Sequence, residues 1–185
     1  MAKMEILAPF ILSWEGGFVD HPNDRGGATN MGVTLETYEY YCRKKGYPRP
    51  TVERLQALTK EKVIDILKTM YWDRAKADYI NNQSIANLIV DWVWASGTWG
   101  IKFTQRVLGL TEDGIVGPQT LGAINSAEPK ALFAQLWKSR EAHFKRLAAN
   151  NPSQQVFLRG WLNRLNGIRY GSLAHNGNKI VNWDE

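Results

Sequence analysis

A chain of 185 residues with 44% hydrophobic content is long enough for one compact folded unit with a real core, and too apolar to be disordered. Its net charge of +5 is unevenly placed: residues 1–97 hold 12 Lys/Arg against 12 Asp/Glu, residues 98–185 hold 11 against 6, so the excess points the second half at an acidic partner or at solvent. A single cysteine, Cys42, excludes an internal disulfide and a Cys-rich zinc site, and three histidines far apart in sequence offer no metal-ligand spacing, so neither metal nor cofactor is expected.

In chain order the signals are mostly helical. The first apolar run predicts a helix from about Lys3 to Trp14 that must tolerate Pro9. This run is short, carries Glu5 and Glu15, and has no small-residue cleavage pattern, which predicts synthesis in the cytoplasm without a signal peptide. The stretch from Gly16 to Gly32, rich in Gly, Asn, Asp and Pro, predicts a small hairpin or a long loop. Thr34 is placed to cap a helix that stops at Gly46, and Thr59 to cap one through "LTKEKVIDILKTMYW". "NQSIANLIVDWVWASG" is apolar nearly all round and predicts a central helix packed on several sides, yet Asn87 and Asp91 keep it from crossing a bilayer, which needs roughly 20 apolar residues. Shorter helices follow in "TWGIKFTQRVLGL" and "GPQTLGAIN", then a long one from Pro129 to about Asn150 and a last one from near Pro152 to about Asn166. No run of β-branched residues is long enough for a large sheet, so the fold class is mainly α with at most a small hairpin near the N-terminus.

The chemistry is carried by acids. There is no GxSxG, no P-loop and no GxGxxG before a helix. Glu15 stands where an apolar helix gives way to Gly16 and Gly17, against the negative end of the helix dipole, where a cation would be the stabilising choice. Beside Trp14 and its apolar neighbours a carboxyl's charged form is disfavoured by desolvation, which suits a general acid that protonates a departing sugar oxygen. Glycoside cleavage generally needs a second group, and a Gly-rich hairpin can fold Asp20, Asp24, Thr29 or Asn30 back across a cleft from Glu15. Asp and Thr in such a loop equally serve turn chemistry. Asp91, the sole charge in the central helix, either binds sugar or belongs to a buried hydrogen-bonded network. Of Trp72, Trp92, Trp94 and Trp99, one is expected in a cleft and the rest in the core. No Lys/Arg run or reading helix points to nucleic acid.

These residues also carry a resemblance. "WEGGFVDHPNDRGGATNMGVT" resembles the N-terminal signature of the N-acetylmuramidases of glycoside hydrolase family 108, a lysozyme-like group that includes secretion-activator proteins, and "IANLIVDWVWASG" and "VLGLTEDGIVGPQTLGAIN" are similar to the rest of its pattern. "FLRGWLNRLNGI" resembles the closing helix of the C-terminal peptidoglycan-binding region found in that group. One departure falls in the central helix, where many such proteins have Asn before a Ser-Gly or His-Gly pair and this chain has Trp94 and Ala95.

The resemblance implies a lysozyme-like helical fold, residues 1–97 as catalytic region and 98–185 as peptidoglycan-binding region, packed as one compact unit. It makes Glu15 the catalytic acid, while the reading of the residues themselves offers Asp24 and Thr29 as its catalytic companions and Asp20, Asn30, Asp91, Trp94 and Trp99 as substrate contacts. The D-G-x-x-G-P-x-T residues Asp113, Gly114, Gly117, Pro118 and Thr120 fall in the wall-binding pattern. The expected partner is the peptidoglycan glycan strand, acted on at the wall (in the periplasm) after release, by a monomer aided by a holin-like or secretion-system partner. The competing expectations are a lytic transglycosylase and a wall-binding accessory that does not cut.

Overall fold

The computed structural model describes residues 1–20 and 27–184. The first helix, α1 (Met4–Trp14), buries Leu7, Ala8, Phe10 and Ile11 and carries Pro9 in its interior. After it, strands β1 (Thr29–Asn30) and β2 (Val33–Thr34) form an antiparallel hairpin in which Thr29 faces Thr34 and Asn30 faces Val33. Met31 and Gly32 make its two-residue turn with φ of 47° and 79°, the doubly left-handed geometry that matches the twist of a tight hairpin.

The next segment is helical and follows its caps. Helix α2 (Leu35–Lys45) starts under Thr34, whose hydroxyl accepts from the Thr37 N–H at 3.1 Å, and stops at Gly46 in the left-handed region. Helix α3 (Val52–Gln56) is a short element that the sequence signals did not separate, and Thr51 caps it. Helix α4 (Lys60–Leu67), capped by Thr59, passes directly into a π-helical turn, Lys68–Trp72. Ala28, Val33, Tyr41, Cys42, Leu55, Val63 and Ile66 bury one another here and form a small core of their own.

The larger core is built on α5 (Gln83–Ser96), eleven of whose residues are buried. Helices α6 (Thr98–Val107), α7 (Pro118–Ser126), α8 (Pro129–Asn150) and α9 (Gln155–Asn166) follow, with α6 and α8 packed on α5 and α9 on α8. The backbones of α5 and α6 approach so closely that a β-carbon on Gly100 would lie 2.6 Å from the Val93 nitrogen, so only glycine fits. Leu7, Phe10 and Ile11 of α1 join this core, which therefore runs through both halves of the chain.

One expectation needs correction. The sequence predicts no sheet beyond the N-terminal hairpin, whereas a three-stranded antiparallel sheet closes the chain: β3 (Ile168–Arg169), β4 (Ser172–Ala174) and β5 (Ile180–Asn182). Its strands are two or three residues long, too short to show an alternating pattern. They pair because Gly171, Gly177 and Asn178 reverse the chain with positive φ and Leu173 is buried under α1. The fold is mainly α and lysozyme-like, and among the described residues no helix is long and apolar enough to cross a membrane.

Candidate active site

Trp94 and Tyr71 pack against both cores, with ring centroids 4.8 Å apart, and thus mark the seam between them. Glu15 lies at that seam. Helix α1 ends at Trp14 and Glu15 takes an extended backbone, so its side chain leaves the helix axis instead of continuing along it. It enters a groove of about 340 Å³ lined by Gly32 of the hairpin turn, Trp94, Ala95 and Ser96 at the end of α5, Arg140, Phe144 and Leu147 of α8, and Trp161 and Arg164 of α9. That volume is of the size of small-molecule sites. Only 16% of the Glu15 side chain is exposed.

The carboxylate is tightly held. Its Oε1 accepts from Nε1 of Trp94 at 2.8 Å and from a guanidinium nitrogen of Arg164 at 2.6 Å. Its Oε2 lies over Gly32, where an added β-carbon would sit 2.6 Å away. The sequence places an unpaired acid against Trp14; the finding is instead an ion pair with a helix 149 residues further on and an indole donor from α5. Arg164 supplies the cation that the negative end of α1 asks for.

Arg164 turns its other nitrogens to Asp91, with Nη2 and Nε donating to Oδ1 at 2.7 and 3.1 Å. Asp91 Oδ2 accepts from Nη2 of Arg140 at 2.7 Å. Burial by itself would raise the Asp91 carboxyl, but the Arg164 and Arg140 charges outweigh it and hold the group below the usual carboxylate range. For Arg164 burial acts downward, and Asp91 together with Glu15 more than compensates, holding it above its ordinary value. Burial pushes Arg140 down, more than Asp91 holds it up. The Arg140 guanidinium also lies 5.4 Å from the Phe144 ring centre and 5.9 Å from that of Trp92.

The expected site residues divide accordingly. Glu15 and Trp94 meet in the groove. Asp91 has no exposed side-chain surface and both its oxygens are taken, so it cannot touch a sugar; it reaches the site only through Arg164. Asn30 is likewise buried, and its Nδ2 donates to the carbonyls of Leu55 at 2.9 Å and Gln56 at 3.1 Å, tying the hairpin to α3 in place of contacting substrate. Thr29 exchanges backbone hydrogen bonds with Val19, both 2.8 Å, and does not line the groove. Asp20 is exposed outside the groove lining, and Asp24 lies outside the described residues. Trp99 is also outside the lining, 53% exposed on α6 with Lys102 above its ring, whereas Trp72 and Trp92 are fully buried.

In the segment D-G-x-x-G-P-x-T the exposed Asp113 and the buried Thr120 both bond to one side chain of α6. Gln105, itself buried, donates through Nε2 to Asp113 at 2.7 Å, to the Ile115 carbonyl at 3.0 Å and to Thr120 at 3.2 Å, and accepts from the Gly114 N–H at 2.9 Å. Pro118 then starts α7. Sequence reasoning missed Arg164, Arg140 and Gly32. The pointers to the two arginines were present, in an aspartate that a buried helix cannot leave unpaired and in the surplus of cations after residue 97.

A helical, lysozyme-like body with a carboxylic acid set in the groove between its two cores is of the class that can host glycoside hydrolysis. The comparisons agree with that class. The family described as glycosyl hydrolase 108 matches residues 8–97, and the one described as predicted peptidoglycan domain matches residues 99–166. Among solved structures the chain is similar to SagA of Brucella abortus, with 32% identity over 86% of this chain and 87% of that one and a TM-score of 0.72. No curated protein matches. The chain belongs to glycosyl hydrolase family 108. It is a glycoside hydrolase, and its second matched region ties it to peptidoglycan as substrate.

Proposed function

We propose that this protein is an N-acetylmuramidase that cleaves the β-1,4 bond between N-acetylmuramic acid and N-acetylglucosamine, with Glu15 as general acid. The observation that carries the reading is the Glu15 carboxyl itself: largely sheltered, in a groove, with Oε1 engaged by two donors and Oε2 turned to Gly32. With Oε1 accepting twice, Oε2 is the oxygen left to carry a proton to the substrate. The proton passes to the glycosidic oxygen as the C1–O bond breaks and positive charge grows on the sugar; water then adds to C1 and surrenders a proton to a base. A second depression of about 780 Å³ lies beyond Tyr71, lined by Thr37, Tyr40, Arg43 and Arg74 among others, and two depressions flanking the Tyr71–Trp94 pair suit a polymer longer than one sugar. The protein acts at the cell wall in this reading.

The test is clearing of purified sacculi by wild type and Glu15→Gln, with the released ends analysed by mass spectrometry. Wild type clears, the variant loses about 10²- to 10⁴-fold in rate while still binding sacculi, and the new ends carry an added water. Anhydro ends would make the protein a lytic transglycosylase. Binding without clearing by either form would make it an accessory that does not cut.

A further inference from the structure

The support of the acid comes from the other half of the chain. Glu15 is followed by Gly16 and Gly17, around which a β-carbon would meet none of the described residues within 4 Å. Its carboxyl direction depends on side chains that reach it. One is Trp94, inside the region matched to the hydrolase family; the other is Arg164, near the end of the region matched to the peptidoglycan domain.

We propose that Arg164 is a positioning residue for Glu15, anchored by Asp91 and Arg140, so that the two matched regions form one catalytic unit and the second is more than a wall-binding appendage. The inference rests on the reading of Glu15 as the acid. Its basis is the shape of the guanidinium fork, which spans two carboxylates at once, Nη1 on Glu15 and Nη2 with Nε on Asp91. Asp91 cannot yield to solvent, because it is fully buried in α5, and Arg140 fixes its remaining oxygen from α8. Arg164 therefore reaches Glu15 from a fixed base, with its own charge already matched by Asp91. Two carboxylates and two guanidiniums, contributed by α1, α5, α8 and α9, balance one another beside the groove.

Arg164→Ala and Arg164→Lys in the full chain, each assayed below its own melting temperature on solubilised glycan strands, test this. For Arg164→Ala, kcat falls about 10²-fold, as expected for a misplaced reacting group, while KM changes less than about twofold. Millimolar guanidinium restores part of that rate. Arg164→Lys stays slow, because one ammonium cannot span both carboxylates. A folded Arg164→Ala enzyme with wild-type kcat, with its loss in KM alone, or without guanidinium rescue overturns the inference. If Arg164→Ala does not fold, the lysine variant decides: a wild-type kcat overturns the inference and a slow one at unchanged KM upholds it. Glu15→Gln in parallel separates the two readings. An inactive Glu15→Gln beside a fully active Arg164 variant removes only the positioning role, whereas an active Glu15→Gln removes the acid and with it the role of Arg164.

Discussion

A β-carbon on Gly32 would lie 2.6 Å from Oε2 of Glu15 and 2.7 Å from the Trp94 ring. The hairpin turn thus roofs the acid with bare backbone. Gly32→Ala meets two penalties, since φ at this position is +79°, where an L side chain costs about 1–2 kcal/mol, and the new methyl collides with the carboxyl it must leave undisturbed. The expected result is a melting temperature lower by a few degrees and a kcat lower by about 10²-fold, the scale of a displaced catalytic group. Thermal melts and turnover on glycan fragments measure both, and full activity would mean that the turn does not sit over the acid in solution.

Trp94→Phe isolates the indole N–H. The ring contact with Tyr71 survives in large part, but the donor to Oε1 of Glu15 is lost. Hydrogen bonds to charged groups contribute about 1.5–3 kcal/mol, so if this bond orients the acid in the transition state, kcat falls roughly ten- to hundredfold. Folded-state stability, read from the same sample by circular dichroism, changes much less.

Asn30 gives the opposite pattern. Its side chain bonds the Leu55 and Gln56 carbonyls and faces no groove, so Asn30→Ala leaves a buried acceptor with fewer partners and costs about 1–3 kcal/mol of stability. KM at a temperature well below the melting point stays near wild type. A raised KM in a protein of unchanged melting temperature would return Asn30 to substrate binding.

The helices were largely legible because their punctuation is local: Thr34, Thr59, Gly46, Pro118 and Pro129 each mark an end within one turn of where it falls. Glu15 was legible for the same reason, as an acid out of place at a helix end. Its surroundings were not. Arg164 meets it across 149 positions, and no periodicity or spacing relates residues that far apart; only packing of α9 against α8 and α8 against α5 brings them together. The roles of Asn30 and Asp91 were left open by the sequence because polarity in a loop or an apolar helix signals function and internal bonding alike, and burial, which separates the two, is a property of the fold.

Acid should expose the Asp91 network. In the folded protein the Arg164 and Arg140 charges overcome burial and hold the Asp91 carboxyl below the usual range, while in the unfolded chain it titrates near the ordinary value of about 3.9. A group depressed in this way contributes stability that is fully present above about pH 4 and is lost as pH falls through its folded value. Asp91→Asn removes that contribution and leaves two buried cations short of a partner, which at neutral pH costs about 3–5 kcal/mol. The wild-type melting temperature therefore exceeds that of Asp91→Asn most at neutral pH, and the two curves draw together below pH 4 as the native aspartate takes up its proton. Melts followed by circular dichroism from pH 7 to pH 2.5 give both curves, and a separation that stays constant across that range would mean that the carboxylate charge does not hold the two arginines in place.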